Sequence, residues 1–300
     1  MGLGEILALI CAMLWASAVI LYKYVGESLS ANTLNFVKNS IALCLLLPTA
    51  LIFEGLGVPS LTMVEWIILA LSGYIGIALA DTLFLMALRH LGAGRTAIVA
   101  SLYSPFVVIL SILFLGERLA LWQWLGFGLV LFGILVITYQ RHYSPVDRRH
   151  LIKGVAIAAS SVFLTASGVV MMKPLLVHDG FFWMVSIRML AGLFGMWLYL
   201  AIRGQVRRSI NEITQGQHRW WAIIAGSIFG SYLALLFWLA GFKYTDASIA
   251  SVLNETANIF IVLLAWVFLK EALTKRKVFG IMMTFSGVII FLGLFKFGVN

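Results

Sequence analysis

The chain has 300 residues, 62% hydrophobic and 11% charged, with a net charge of +9 at pH 7, and its mean hydropathy is +1.02. A soluble domain carries about 25% charged residues, so this chain lacks the polar surface to cover a water-facing globule. The basic excess fits loops held at the cytoplasmic face of a membrane; without a basic stripe interleaved with exposed aromatics it does not indicate nucleic-acid binding.

A membrane-spanning helix needs about 20 mostly apolar residues. In chain order, apolar runs fall at 4–25, 31–53, 66–88, 96–115, 122–140, 152–175, 182–202, 220–242, 248–269 and 278–296. The expected fold class is therefore all-α, a polytopic membrane protein of ten transmembrane helices. The first run follows an acidic start without a basic leader, and is read as a retained helix rather than a signal peptide. FEGLGVPS follows the second run and QRHYSPVDRRH the fifth. RGQVRRSINEITQGQHR follows the seventh and predicts an interfacial loop or short amphipathic helix. Cys11 and Cys44 lie inside apolar runs as small buried hydrophobes, with no CxxC pair to suggest zinc or redox chemistry.

The runs form an internal repeat. When FLGERL (Phe114 to Leu119) is laid on FLKEAL (Phe268 to Leu273), Glu117 meets Glu271, Gly126 meets Gly280, Gly133 meets Gly287, and Gly76 meets Gly230. A slightly different offset matches Lys23 with Lys173 and Lys38 with Arg188. Matched charges and glycines in the same order are harder to obtain by chance than matched leucines. The reading is 1–140 for the first five-helix repeat, 141–151 for a basic linker and 152–300 for the second. An odd number of helices per repeat makes the second copy inverted, an arrangement that recurs in secondary transporters.

Lys and Arg concentrate in the odd-numbered connections. These carry Arg89, Arg95, Arg141, Arg148, Arg149, Lys153, Arg203, Arg207, Arg208, Arg219, Lys275, Arg276 and Lys277, against Arg118, Lys173, Lys243 and Lys296 on the other side. The bias places both termini outside, in a bacterial inner membrane.

Polar groups at membrane depth are costly and mark function by default. Trp15, Tyr74, Tyr103, Tyr232 and Trp238 are mid-span aromatics that could wall a cavity. Lys38 and Arg188 occupy equivalent positions, and either neutralise a carboxylate or meet an anionic substrate group. Asp81 could pair with Lys38; its repeat counterpart is Leu235, so symmetry lends it no support. Pro105 in SLYSPFVV is an expected hinge, with no proline in the matching part of the ninth run. Asn254, Glu255 and Asn258, in VLNETANIF, form the most polar stretch inside any span and should face protein or a water-filled cavity. Glu255 is read as a substrate or proton site, or as part of a structural hydrogen-bond network. Ser72-x-x-x-Gly76 and Gly226-x-x-x-Gly230 allow close helix contact, read as packing within a monomer. The five histidines lie near helix ends, and no H-E-x-x-H, G-x-S-x-G or Walker pattern is present. No catalytic residue, metal or cofactor is assigned. The competing classes are an intramembrane enzyme and a membrane sensor or scaffold.

Several of these stretches resemble the EamA-type branch of the drug/metabolite transporter superfamily. LWASAVILYK is similar to its first helix, and FVKNSIALCLLL and IRMLAG to its second and seventh. IALADTLFLMALRHLGAGRTAIVASLYSPFVVILSILFLGERL followed by WQWLGFGLVLFGILVI resembles helices three to five, and LNETANIFIVLLAWVFLKEAL helix nine. The resemblance covers the chain in two copies. It implies a central cavity between the halves and export of small metabolites, often amino acids or related compounds, by uniporters or ion-coupled carriers. The expected partners are thus a small-molecule substrate, the lipid bilayer and a coupling proton. Lys38 stands where that family usually has Arg, Ala16 where Gly follows the tryptophan, and Asn258 where proline is frequent, which argues against a symmetric hinge in helix nine.

Overall fold

The computed structural model describes residues 1–25, 29–91, 93–139, 148–178, 180–270 and 272–293. The side chains of Lys23 and Arg89, and Glu271, Arg141 and Lys296, lie outside the described residues. Ten long helices follow one another: α1 (Leu3–Val25), α2 (Ala31–Glu54), α3 (Met63–Gly73, Tyr74–Ala80 and Asp81–Leu91), α4 (Ala93–Ala100 and Tyr103–Leu115), α5 (Leu121–Thr138), α6 (Arg148–Met172, extended by Lys173–Val177), α7 (Phe181–Ile202), α8 (Trp220–Gly226, Ser227–Leu233 and Ala234–Tyr244), α9 (Ala247–Asn254 and Ala257–Leu269) and α10 (Lys275–Phe291). Among the described residues nine spans are long and apolar enough to cross a membrane; α10 has 17 described residues. Helix α6 starts at Arg148, inside the stretch read as linker. The basic break after α7 folds as a short amphipathic helix, Val206–Gln215.

Local chemistry accounts for the helix ends. Thr62 and Glu65 form a reciprocal capping box at the start of α3, and Ser30 and Thr274 accept from backbone N–H groups at the starts of α2 and α10. Glu54 at the end of α2 accepts from the N–H groups of Phe182 (3.0 Å) and Trp183 (2.9 Å), capping α7. Gly116 closes α4 in the left-handed region at φ 69°, and Lys270, its repeat counterpart, closes α9 there at φ 55°.

The two halves pack by exchange. Helix α1 lies on α8 and α9 of the second half, while α6 lies on α3 and α4 of the first. Helix α2 pairs with its counterpart α7, and α5 with its counterpart α10. Both pairs are antiparallel. Asn35 meets Met196 near one end of α2–α7, and Glu54 meets Phe182 at the other. In α5–α10 the contacts are between backbones. A methyl on Gly126 would lie 2.7 Å from the carbonyl oxygen of Gly287, and one on Gly280 2.8 Å from that of Gly133. Repeat-equivalent helices can run antiparallel only if the second copy is inverted. The matched glycines of the sequence are the contact points of that axis.

Two departures from regular helix recur at matched positions. Tyr74–Ala80 in α3 and Ser227–Leu233 in α8 are π-helical, wider than the α-helix and less well bonded. Side chains serve the backbone there: Asn35 donates to the Ile77 carbonyl (3.3 Å), Ser161 to that of Ala80 (2.8 Å) and Tyr22 to that of Gly226 (2.9 Å). Helix α4 is interrupted at Ser101–Leu102 and α9 at Glu255–Thr256, the same place in the repeat. In α4 the cause is Pro105, whose ring excludes the carbonyl four residues before it, that of Ser101. The proline itself sits in the first turn of the following segment, where a missing N–H costs nothing.

The interruption of α9 runs against the expectation drawn from its missing proline. Polar side chains produce it. Thr256 Oγ1 donates to the Leu253 carbonyl (2.6 Å), and Asn258 Nδ2 to that of Glu255 (3.2 Å). The backbone tightens to three-residue spacing at Thr256–Leu253 and Asn258–Glu255. Back-bonding of this kind competes with the helical ladder and opens it.

Candidate functional site

The polar groups of the spans collect around the two interruptions and the two π-helical stretches. Arg188 on α7 is almost fully buried. Its Nε donates to Ser72 Oγ of α3 at 2.9 Å, and Ser72 in turn donates to the Gly168 carbonyl of α6 at 2.6 Å. The guanidinium lies 5.5 Å from the centroid of the Trp238 ring on α8, a cation–π distance. Gly76 makes room for it, since a Cβ there would come within 2.7 Å of Nη2. Nη1 is buried and has no hydrogen-bond partner among the described residues. A charged donor left unpaired in a low-dielectric interior is costly.

Trp238 Nε1 donates to the hydroxyl of Tyr103, 3.1 Å away on α4. Tyr103 lies within electrostatic reach of both Arg188 and Glu255. Glu255, at the interruption of α9, is buried. Its Oε1 accepts from the backbone N–H (3.4 Å) and hydroxyl (3.1 Å) of Ser104, in the first turn of the second segment of α4. A carboxylate at a helix N-terminus satisfies an orphan donor and favours the helix dipole. Its Oε2 accepts from Asn258 Nδ2 at 3.1 Å. Ser104 and Asn258 are repeat counterparts, so one carboxylate ties together the two interrupted helices. Both polar atoms of the neighbouring Asn254 side chain are buried without a partner among the described residues.

Lys38 and Asp81 form an ion pair at 2.8 Å, joining α2 to the segment that follows the π-helical stretch of α3. Asn39 stands beside Lys38 at 3.5 Å and receives support from Asn35, to which it donates at 3.0 Å. The charge of Asp81 reaches Arg188 as well. Tyr232 on α8 shares a 2.7 Å hydrogen bond with Thr49 on α2. Trp15 and Tyr74 are exposed; Tyr74 packs against Gly195 of α7, and neither hydrogen-bonds to this network among the described residues.

The sequence singled out Lys38, Tyr103, Arg188 and Glu255, and the structure puts them in one connected region. It read Ser72 only as a packing position and did not single out Ser104 or Asn35; all three orient those groups. A serine costs little in an apolar span, so hydropathy gives it no signal. The small-residue stripes are filled from within the chain: Gly76 by Arg188, and Gly226 and Gly230 by Tyr22 and Ala18 of α1.

At the face where α4 and α8 end, a second cluster closes the structure. Glu117 Oε1 accepts from the Ala247 N–H (2.6 Å) and Lys173 Nζ (3.1 Å), and Oε2 from the Ser248 N–H (2.9 Å). Lys173 also donates to the Thr245 carbonyl at 2.8 Å. Burial opposes ionisation of Glu117. The amides of Ser248 and Ala247 and the charge of Lys173 outweigh it and hold the carboxyl below its ordinary range.

The EamA-like transporter family model matches residues 2–139 and again 152–293. A protein of Methanothermobacter thermautotrophicus, called an uncharacterized transporter, is 21% identical over 77% of this chain; the chain spans 64% of that relative's length. An uncharacterized transporter of Bacillus subtilis, YxxF, is 28% identical over 47% of this chain and 44% of its own length. A solved crystal structure superposes with a TM-score of 0.80 at 17% identity, covering 97% of this chain and 96% of that one. At that identity the likeness speaks for the fold alone.

Proposed function

The chain belongs to the EamA-like transporter family, and from that premise we propose that it is a secondary transporter. It exports small metabolites, amino acids or related compounds among them, by alternating access around a mid-membrane site between the two inverted halves. The observation that carries this reading is Arg188: a buried guanidinium whose Nη1 has no partner among the described residues, braced by Ser72 and set over Trp238. A fixed cation with a free donor and an aromatic wall suits an anionic group such as a carboxylate. Asn254, next to Glu255 in the chain, offers an amide with no partner among the described residues, and Glu255 meets a substrate amine or a proton. Lys38 balances Asp81 instead of binding the substrate. The interruptions of α4 and α9 supply the hinges, with Pro105 setting the first.

A passive facilitator is the second reading, and one observation favours it: both oxygens of Glu255 are already engaged, by Ser104 and Asn258. In that case Glu255 only orders the interruption. A proteoliposome uptake screen across amino acids and nucleosides identifies the substrate, and flux with and without an imposed pH gradient separates the readings. On the coupled reading Glu255→Gln abolishes the gradient dependence while the protein still folds. Unchanged flux and unchanged pH response leave the facilitator. Chemical conversion of the substrate would point to an enzyme. The protein works as a monomer with both termini outside, in a bacterial inner membrane. Activity of a cytoplasm-only reporter fused to the C-terminus would overturn that orientation.

A further inference from the structure

The short helix Val206–Gln215 lies outside the apolar spans, between the end of α7 and the start of α8. Its inner side is fixed. Ile213 packs with Val25, Leu29, Val37, Ala222 and Ile223. Glu212 Oε2 accepts from the Ser30 N–H (3.0 Å) and the Thr33 hydroxyl (2.8 Å), pinning the helix to the start of α2. The outer side is different in kind. Arg207, Asn211 and Gln215 follow one another at four-residue spacing and therefore share a face. With Arg208, Glu212 and Gly216 they line a shallow cavity of about 580 Å³.

The charge there is one-sided. Between residues 203 and 219 the sequence carries Arg203, Arg207, Arg208 and Arg219 against a single carboxylate, Glu212, and that carboxylate is already engaged by Ser30, Thr33 and Arg208 Nε at 3.1 Å. That bond uses only Nε of Arg208, whose side chain is 75% exposed. Arg207 is exposed and has no hydrogen-bond or ion-pair partner among the described residues. Apolar residues accompany these arginines along the chain, and Ile202, Ile210 and Trp221 are all exposed. A free inorganic anion has no use for exposed apolar surface, whereas a molecule with a charged head and acyl chains matches both kinds of residue.

We propose that this face is a binding site for the headgroup of an anionic phospholipid. Arg207 and Arg208 hold the phosphate, Asn211 and Gln215 bond to oxygens beside it, and Ile202, Ile210 and Trp221 lie along the acyl chains. A lipid seated there clamps the connection between α7 and α8 against the start of α2.

The test uses the purified full-length chain in a neutral detergent. Phosphatidylglycerol, phosphatidylcholine and inorganic phosphate are added in separate arms, and retention is read by native mass spectrometry and thermal shift. The expected result is retention and stabilisation by phosphatidylglycerol and none by phosphatidylcholine. Retention should fall about tenfold or more in Arg207→Gln/Arg208→Gln, and by a smaller factor in Arg207→Gln alone, which leaves the Arg208–Glu212 bond intact. Equal retention of the two lipids, or undiminished retention in both variants, overturns the proposal. So does inorganic phosphate that stabilises as well as phosphatidylglycerol and displaces it, which would mark a soluble-anion site.

Discussion

Lys38 and Arg188 stand at the same position in the two halves and are treated in opposite ways. Lys38 has Asp81 at 2.8 Å. Arg188 has the neutral hydroxyl of Ser72, the face of Trp238, and one nitrogen with no partner among the described residues. The backbone around them is symmetric, down to the matched π-helical stretches and interruptions. Symmetry is therefore a property of the scaffold, and the chemistry comes from where side chains break it. One half neutralises its cation and the other keeps its cation available, which gives the site a polarity the fold alone would not have.

The largest expected effect comes from removing the available cation. Arg188→Ala should reduce flux of the identified substrate at least tenfold, and Arg188→Lys should recover only part of it, because an ammonium cannot keep both the Ser72 bond and a planar fork. Full activity of Arg188→Lys would show that charge alone suffices and would level the contrast with Lys38.

Next is Asp81→Asn, which strips Lys38 of its counter-charge. Removing one partner of a fully buried pair costs about 3–5 kcal/mol. Asp81 is 35% exposed, so a discounted loss of about 1–2 kcal/mol is expected, seen as a lower melting temperature in detergent. Lys38→Met/Asp81→Leu should recover most of it. A double variant as unstable as the single one would mean the pair is not the reason for either residue.

Glu117 gives a smaller effect with a defined pH sense. Its folded pKa is depressed, so its contribution is fully present above the ordinary carboxylate value and is lost as pH falls through the lowered one. The wild-type melting temperature should therefore drop below about pH 4.5. Glu117→Gln should start about 1 kcal/mol less stable at neutral pH and lack that acid component. Parallel acid profiles in the two proteins would remove Glu117 as the cause.

The smallest effect concerns the positions where α4 and α9 end. Gly116 and Lys270 share the left-handed conformation, which is free for glycine and strained for lysine. Lys270→Gly should stabilise by about 0.5–1 kcal/mol, read in chemical denaturation. Destabilisation would mean that the Lys270 side chain supports the fold in a way its backbone does not reveal.

Hydropathy exposed the ten helices, and matched glycines and charges exposed the repeat whose odd helix count inverts it, because both depend on residue types that a bilayer or a close helix contact selects strongly. Arg188, Lys38 and Glu255 were legible for the same reason: charge inside a span is expensive enough to stand out. The interruption of α9 was not legible, since it arises from the back-bonding of Thr256 and Asn258, residues that also sit in unbroken helices. The π-helical stretches were hidden too. Their carbonyls are served by Asn35, Ser161 and Tyr22, which come from other helices and become neighbours only once the chain has folded.

The glycine contacts between α5 and α10 have a consequence for how such a chain can be divided. Each glycine-lined face fits a helix of its own kind running the other way. Either half produced alone would carry one such face uncovered, and its natural complement would be another copy of the same half inserted upside down. Co-expressed halves should therefore reassemble only when the membrane receives them in opposite orientations.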